Sequence, residues 1–186
     1  MKVKNINHIL FISIALLALS GCIAQETADN KAAVPREDLP TGFSLLAIKT
    51  ASTEGVNMTE EIEDFYGTED ASIDPSNAMV GIYRWGEPGQ SYDAKITLIA
   101  LGDEEKASAA IANYKSLAEF KNPPYEGIDR FSTAIVNGHE VTEIRDAVGE
   151  NSLRYLYLWN NGGTVVLVEG NGDRSRSLEL ANATGL

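Results

Sequence analysis

The chain has 186 residues, a single cysteine and a net charge of −12. So acidic a protein is repelled by phosphate backbones, which excludes nucleic acid as a partner class and leaves no basic patch to hold anionic lipid. One cysteine cannot make an internal disulfide, so a domain of this length must be held by packing alone.

The N-terminus carries Lys2 and Lys4, then an apolar run from Ile9 to Leu19 in which only Ser13 is polar. That core of about 11 residues is too short for a spanning helix, which needs roughly 20. With small residues behind it, the segment reads as a secretory signal. Its ending, Leu19-Ser20-Gly21-Cys22, resembles the lipobox of prokaryotic lipoprotein precursors. The resemblance covers the signal region and implies cleavage before Cys22, with lipid on its thiol. Residues 1–21 are then the signal peptide, and the loss of Lys2 and Lys4 takes the charge from −12 to −14. A two-chain anchor of this kind holds a protein stably to a membrane. The expected location is the cell membrane, lipid-anchored, facing the extracytoplasmic side.

Residues 22–39 are polar and Ala-rich, without strand or helix period, and read as a flexible tether. Residues 40–186 read as a single domain. Phe43 to Lys49 is a short apolar strand. A small helix is expected near Thr59 to Tyr66, with Met58, Ile62, Phe65 and Tyr66 on one face, Asn57 or Thr59 as cap and Gly67 as stop. Residues 68–77 read as loop. Met79 to Trp85 and Lys95 to Leu101 are strands. Asp103 caps a helix with Glu104 and Glu105 in its first turn. Its stripe is Ala107, Ala110, Ile111, Tyr114, Leu117 and Ala118, and Asn122-Pro123-Pro124 ends it. Phe131 to Arg145 is a hairpin turning at Asn137-Gly138. Leu153 to Trp159 and Thr164 to Glu169 form another around Asn160 to Gly163. Asp173 caps a last helix carrying Leu178, Leu180 and Ala181, with Gly185 near its end.

A hairpin–helix unit recurs: Tyr83-Arg84-Trp85 precedes a strand, Gly102-Asp103 and a helix, and Tyr157-Leu158-Trp159 precedes a strand, Gly172-Asp173 and a helix. The expected class is α+β, an antiparallel or mixed sheet with two to three helices packed on one face, with this unit as a candidate internal duplication.

Catalytic signals are sparse. His139, with Glu140 or Glu143 nearby, is a candidate general base, although a histidine beside a turn more often ends a strand in solvent. The chain has no Gly-x-Ser-x-Gly elbow, phosphate loop or His-Glu-x-x-His spacing. The acidic run Glu60, Glu61, Glu63, Asp64, Glu69, Asp70 and Asp74 suits calcium in chemistry but not in EF-hand spacing, so it reads as a solvated face. Asp129, Glu140, Glu143 and Asp146 are the carboxylates open to a sugar hydrolase of the two-carboxylate type. No catalytic or metal-ligating residue is assigned and no cofactor is implied.

Aromatic residues give the clearest binding candidates. Tyr155, Tyr157 and Trp159 alternate onto one face of their strand, and Tyr83 and Trp85 share a face of theirs. On a helix-free face these five form a platform for a protein, glycan or peptide; under a helix they are core. Asn57-Met58-Thr59 and Asn182-Ala183-Thr184 match the N-glycosylation pattern. The globular part resembles small surface lipoproteins of methanogenic archaea, which implies an anchored extracytoplasmic domain. The leading expectation is a non-catalytic, membrane-anchored interaction module, held to the membrane through lipid on Cys22. The alternatives are a solute- or calcium-binding lipoprotein and a carboxylate-based hydrolase.

Overall fold

A computed structural model describes residues 32–86 and 92–186. The signal peptide, Cys22, the tether up to residue 31 and the centre of the loop after Gly86 lie outside the described residues.

Seven strands form one sheet: β1 (Phe43–Thr50), β2 (Ala78–Trp85), β3 (Tyr92–Ala100), β4 (Phe131–Val136), β5 (His139–Val148), β6 (Ser152–Asn161) and β7 (Thr164–Glu169). Their order is β1-β2-β3-β7-β6-β5-β4, and every pairing is antiparallel. The described residues include three α-helices: α1 (Met58–Glu61), α2 (Glu104–Lys115) and α3 (Arg174–Asn182). The chain runs as a meander through β1, β2 and β3. It crosses the sheet through α2 to the far edge, then returns as a second meander whose last strand pairs with β3.

α1 and α2 share one face of the sheet, but α3 packs on the other, which corrects the expectation that the helices lie on one face only. Side chains alternate along a strand. Val165 and Leu167 of β7 join Ile99, Leu156 and Leu158 in the core under α2, where Ala107, Ala110 and Tyr114 also lie. Val166 and Val168 join Ile96, Leu98 and Tyr157 in a second core with Leu180 and Ala181 of α3. Four consecutive buried residues in β7 require cover on both sides, as in any strand apolar without alternation. The two hairpin–helix units are also arranged differently on the sheet. The β2-β3 and β6-β7 hairpins meet at the β3–β7 seam, but both helices lie over β6 and β7, on opposite faces.

The α2 face is completed by α1 and by aromatic contacts. Phe65 stacks on Tyr114 with centroids 4.9 Å apart, Tyr114 meets Phe120 at 5.5 Å, and Phe120 meets Phe131 edge-on at 6.0 Å. The α3 face is completed by the segment before β1. Val34 is 2% exposed, and the Tyr83 hydroxyl donates to the Pro35 carbonyl at 2.7 Å. The tether expected over 22–39 is therefore corrected at its end: from Val34 onward the chain is part of the fold. A single valine between Ala33 and Pro35 leaves no periodic trace in a sequence.

Local chemistry accounts for the elements. Asp103 accepts from the N–H groups of Glu105 and Lys106, and Asp173 from that of Arg176, so both caps form. Asn137 and Gly138 take φ of 49° and 84°, the left-handed pair that a two-residue turn between twisted strands demands. The small helix is shorter than expected, ending at Glu61 before a 3₁₀ turn over Glu63–Phe65. Met58, Ile62 and Phe65 are buried as their spacing predicts, while Tyr66 is exposed.

Candidate functional site

A groove of about 910 Å³ lies at one end of the sheet. Its walls come from the ends of three strands (Trp85, Asp93 and Val148), the start of β6 (Ser152, Leu153 and Arg154) and residues 170–175 leading into α3.

The start of α3 is built tightly. A Cβ on Gly170 would stand 2.1 Å from the Ser177 Oγ and 2.7 Å from the Tyr155 carbonyl, so only glycine lets the chain pass. Ser177, fully buried, receives the Asn171 N–H at 3.0 Å and donates to the Asp173 carbonyl at 2.8 Å. Asn171 is 5% exposed. Its Oδ1 accepts from the Asp173 N–H at 2.8 Å, and its Nδ2 makes no hydrogen bond among the described residues.

Beside this turn lies the one fully buried charged side chain among the described residues. Glu143 on β5 has no exposed surface. Its Oε2 accepts from Arg174 Nε at 2.7 Å, and its Oε1 from Arg145 Nη2 and Ser132 Oγ, each at 3.1 Å. Arg145 Nη2 also donates to Ser132 Oγ at 2.8 Å. A buried carboxylate persists only when paired and hydrogen-bonded, and here one acid is held by two guanidinium groups. Tyr157, whose hydroxyl donates to the Arg174 carbonyl at 3.2 Å, has its pKa pushed up, first by burial and then by the Glu143 charge.

The opposite face of the same end carries a ladder of ion pairs. Arg130 Nη1 binds Asp146 at 3.0 Å, and Arg154 Nε binds the other Asp146 oxygen at 2.9 Å. Arg154 approaches Glu169 at 3.9 Å, and Lys95 binds Glu169 at 2.5 Å. Burial pulls the Lys95 pKa down, with Glu61 and Asp64 working against that.

The candidate residues of the sequence separate accordingly. The five-residue platform is corrected: Tyr83 and Tyr157 are fully buried and Trp159 is 4% exposed, all in the core beneath α3, with Trp85 and Tyr155 packed at its margin. Their face is covered by α3 and the Val34 segment, which the one-face reading left open. Of the five, only Trp85 lines the groove. His139 is exposed at its turn. The carboxylates Asp129, Glu140, Glu143 and Asp146 are not brought together: Glu143 and Asp146 point to opposite faces of β5, while Asp129 and Glu140 are exposed. The acidic run is mostly exposed, and among the described residues no group of acids is arranged to hold a metal ion. Asn57 is exposed and caps α1. The Asn182 Nδ2 donates to the Leu178 carbonyl one turn back at 2.9 Å, and its Oδ1 accepts the Asn137 N–H at 2.9 Å, so this side chain is already held by the fold.

Sequence reasoning missed Arg174, Asn171 and the groove itself. The available signal was Gly170-Asn171-Gly172, a glycine-flanked turn placed between a buried strand and a helix cap. Among the described residues, no helix is long and apolar enough to cross a membrane. Comparison of the chain with protein-family models, with curated proteins and with solved structures returned no match.

Proposed function

We propose that the protein is a lipid-anchored binding module on the extracytoplasmic side of the membrane, taking its ligand in the groove at the start of α3. The observation that carries the binding half is the groove itself. It combines the apolar side chains of Trp85, Val148 and Leu153 with a fixed arginine and a rigid turn, convergent polar groups beside apolar surface as small-ligand sites use. The anchoring half rests on the Leu-Ser-Gly-Cys ending of the signal region. The remaining acidic surface keeps the body soluble and off an anionic membrane. This reading moves the binding surface from the aromatic strand faces, which are core, to the strand ends.

Two measurements test the two halves. The intact mass of membrane-extracted protein should show an N-terminus at Cys22 with added lipid, and Cys22→Ser should remove that mass and release the protein from the membrane fraction. An unlipidated native protein cut elsewhere would refute the anchor. For the groove, Leu153→Arg should abolish ligand-induced changes in spectra of groove residues while leaving the thermal midpoint within a few degrees. Ligand shifts that survive this substitution would place the site elsewhere.

A further inference from the structure

Resting on the groove reading, we propose that the start of α3 is a carboxylate-binding subsite, in which Arg174 presents both Nη groups to an organic monoacid whose apolar body lies along Leu153. Arg174 is 50% exposed, yet its side chain is not loose. Nε is bound to Glu143 at 2.7 Å, and Glu143 is itself immobilised by Ser132 and Arg145. The two Nη groups make no hydrogen bond to any described residue, so a planar donor pair faces the groove with its direction already set. Planar forks of this kind match a carboxylate with two parallel hydrogen bonds, and a pre-fixed side chain loses little entropy on binding.

The surrounding charge agrees. One Glu143 charge faces two arginines, which leaves one positive charge uncompensated within that group. Asp173 lines the same groove, where its Oδ1 accepts the Arg176 N–H at the helix start and its negative charge weighs against ligands carrying more than one. The N–H groups of Arg174 and Ser175, first in the helix, are the ones such a cap leaves unused. Asn171, almost wholly buried in the groove wall, holds a further donor without an acceptor. Asp93, exposed on the other wall, opposes a second negative charge. The site therefore favours a monocarboxylate over phosphate or a diacid.

The test is titration of the full-length protein with acetate, phenylacetate and N-acetylleucine, each beside its neutral amide and beside inorganic phosphate, followed by TROSY cross-peaks of Gly172, Arg174 and Ser175. The acids with apolar bodies should bind and their amides should bind more weakly by about tenfold or more. Arg174→Lys, which keeps the charge but loses the fork, should erase that difference. Arg176→Lys, on the same helix, should not. Glu143→Gln should weaken acid binding and leave amide binding unchanged. Equal binding of acid and amide would overturn the carboxylate assignment while keeping the groove. An absence of shifts from every compound would overturn both. Phosphate binding as tightly as the acids would overturn the monoacid preference.

Discussion

Glu143 shows why single residues were hard to read. The sequence offered four carboxylates near one hairpin with no reason to prefer any. β5 has apolar residues on both faces, Val141 on one and Ile144 on the other, so alternation could not say which acid pointed inward. The structure separates them by burial alone. Removing this carboxylate strips hydrogen bonds from two arginines that are 50% and 26% exposed and can be rehydrated, which costs about 1–3 kcal/mol. Glu143→Ala should therefore destabilise the domain by that amount in urea unfolding, and Glu143→Gln by less, since an amide still accepts from Arg174. A loss under 1 kcal/mol for the alanine variant would mean that water reaches the site. Asn113 is a second such residue. From α2 its Nδ2 donates to the carbonyls of Phe65 and Glu69, and its Oδ1 accepts the Glu69 N–H. Asn113→Ala should cost about 2–3 kcal/mol, because the buried Phe65 carbonyl loses its side-chain donor. Asn113→Asp should cost at least as much, since an acid oxygen replaces the donor.

At the scale of the element, starts were legible and ends were not. Caps act through a few adjacent atoms, so Asp103 and Asp173 could be recognised from order along the chain. The end of α2 depends on tertiary packing. Its apolar stripe continues through Leu117 and Ala118, but the helix stops at Lys115, and Leu117 turns extended so that Phe120 can reach Tyr114. The hairpin loop placed at Asn160 to Gly163 tightens to Gly162-Gly163 for a related reason. The Gly163 carbonyl accepts from the N–H groups of Leu101 and Gly102, and a Cβ on Gly163 would lie 2.4 Å from the Asp103 nitrogen. This contact ties the β6–β7 turn to the start of α2. Asp103→Ala should then cost about 1 kcal/mol, as cap removal does. Gly163→Ala should cost more, because backbone must move at both ends of the contact. Thermal unfolding of the two variants checks the order. A Gly163→Ala midpoint above that of Asp103→Ala would mean the turn is free of the helix.

For the whole molecule, the sequence carried the class and most strand positions, but not the way two layers of cover sandwich one sheet. Which face a helix takes is set by the crossing of the chain, and nothing local records it. The clue was the unbroken Val165 to Val168 run, which has no polar side to leave in water. The result is a protein with tyrosines buried on both faces: Tyr114 on the inner side of α2, and Tyr83 and Tyr157 in the core shared with α3. Burial is the first cause raising the pKa of each. In the unfolded chain the three ionise near pH 10, whereas in the fold they keep their protons. Above pH 10 the unfolded state therefore binds fewer protons, and stability must fall as pH rises. Below pH 10 their contribution is intact. Each tyrosine removes about 1.4 kcal/mol per pH unit, so three together remove about 4. Lys95 acts with the opposite sign, because burial lowers its pKa and the unfolded chain holds that proton to higher pH. It is one group against three, and its effect ends once pH passes the ordinary lysine value. A domain with about 5–15 kcal/mol of stability should thus unfold cooperatively within a few units above pH 10. Tyrosinate absorbance and far-ultraviolet dichroism, followed together in one alkaline titration, should show these three rings ionising in the same step that melts the sheet. Full tyrosine ionisation with the sheet still intact would mean that water already reaches both faces, and the two-sided core would be wrong.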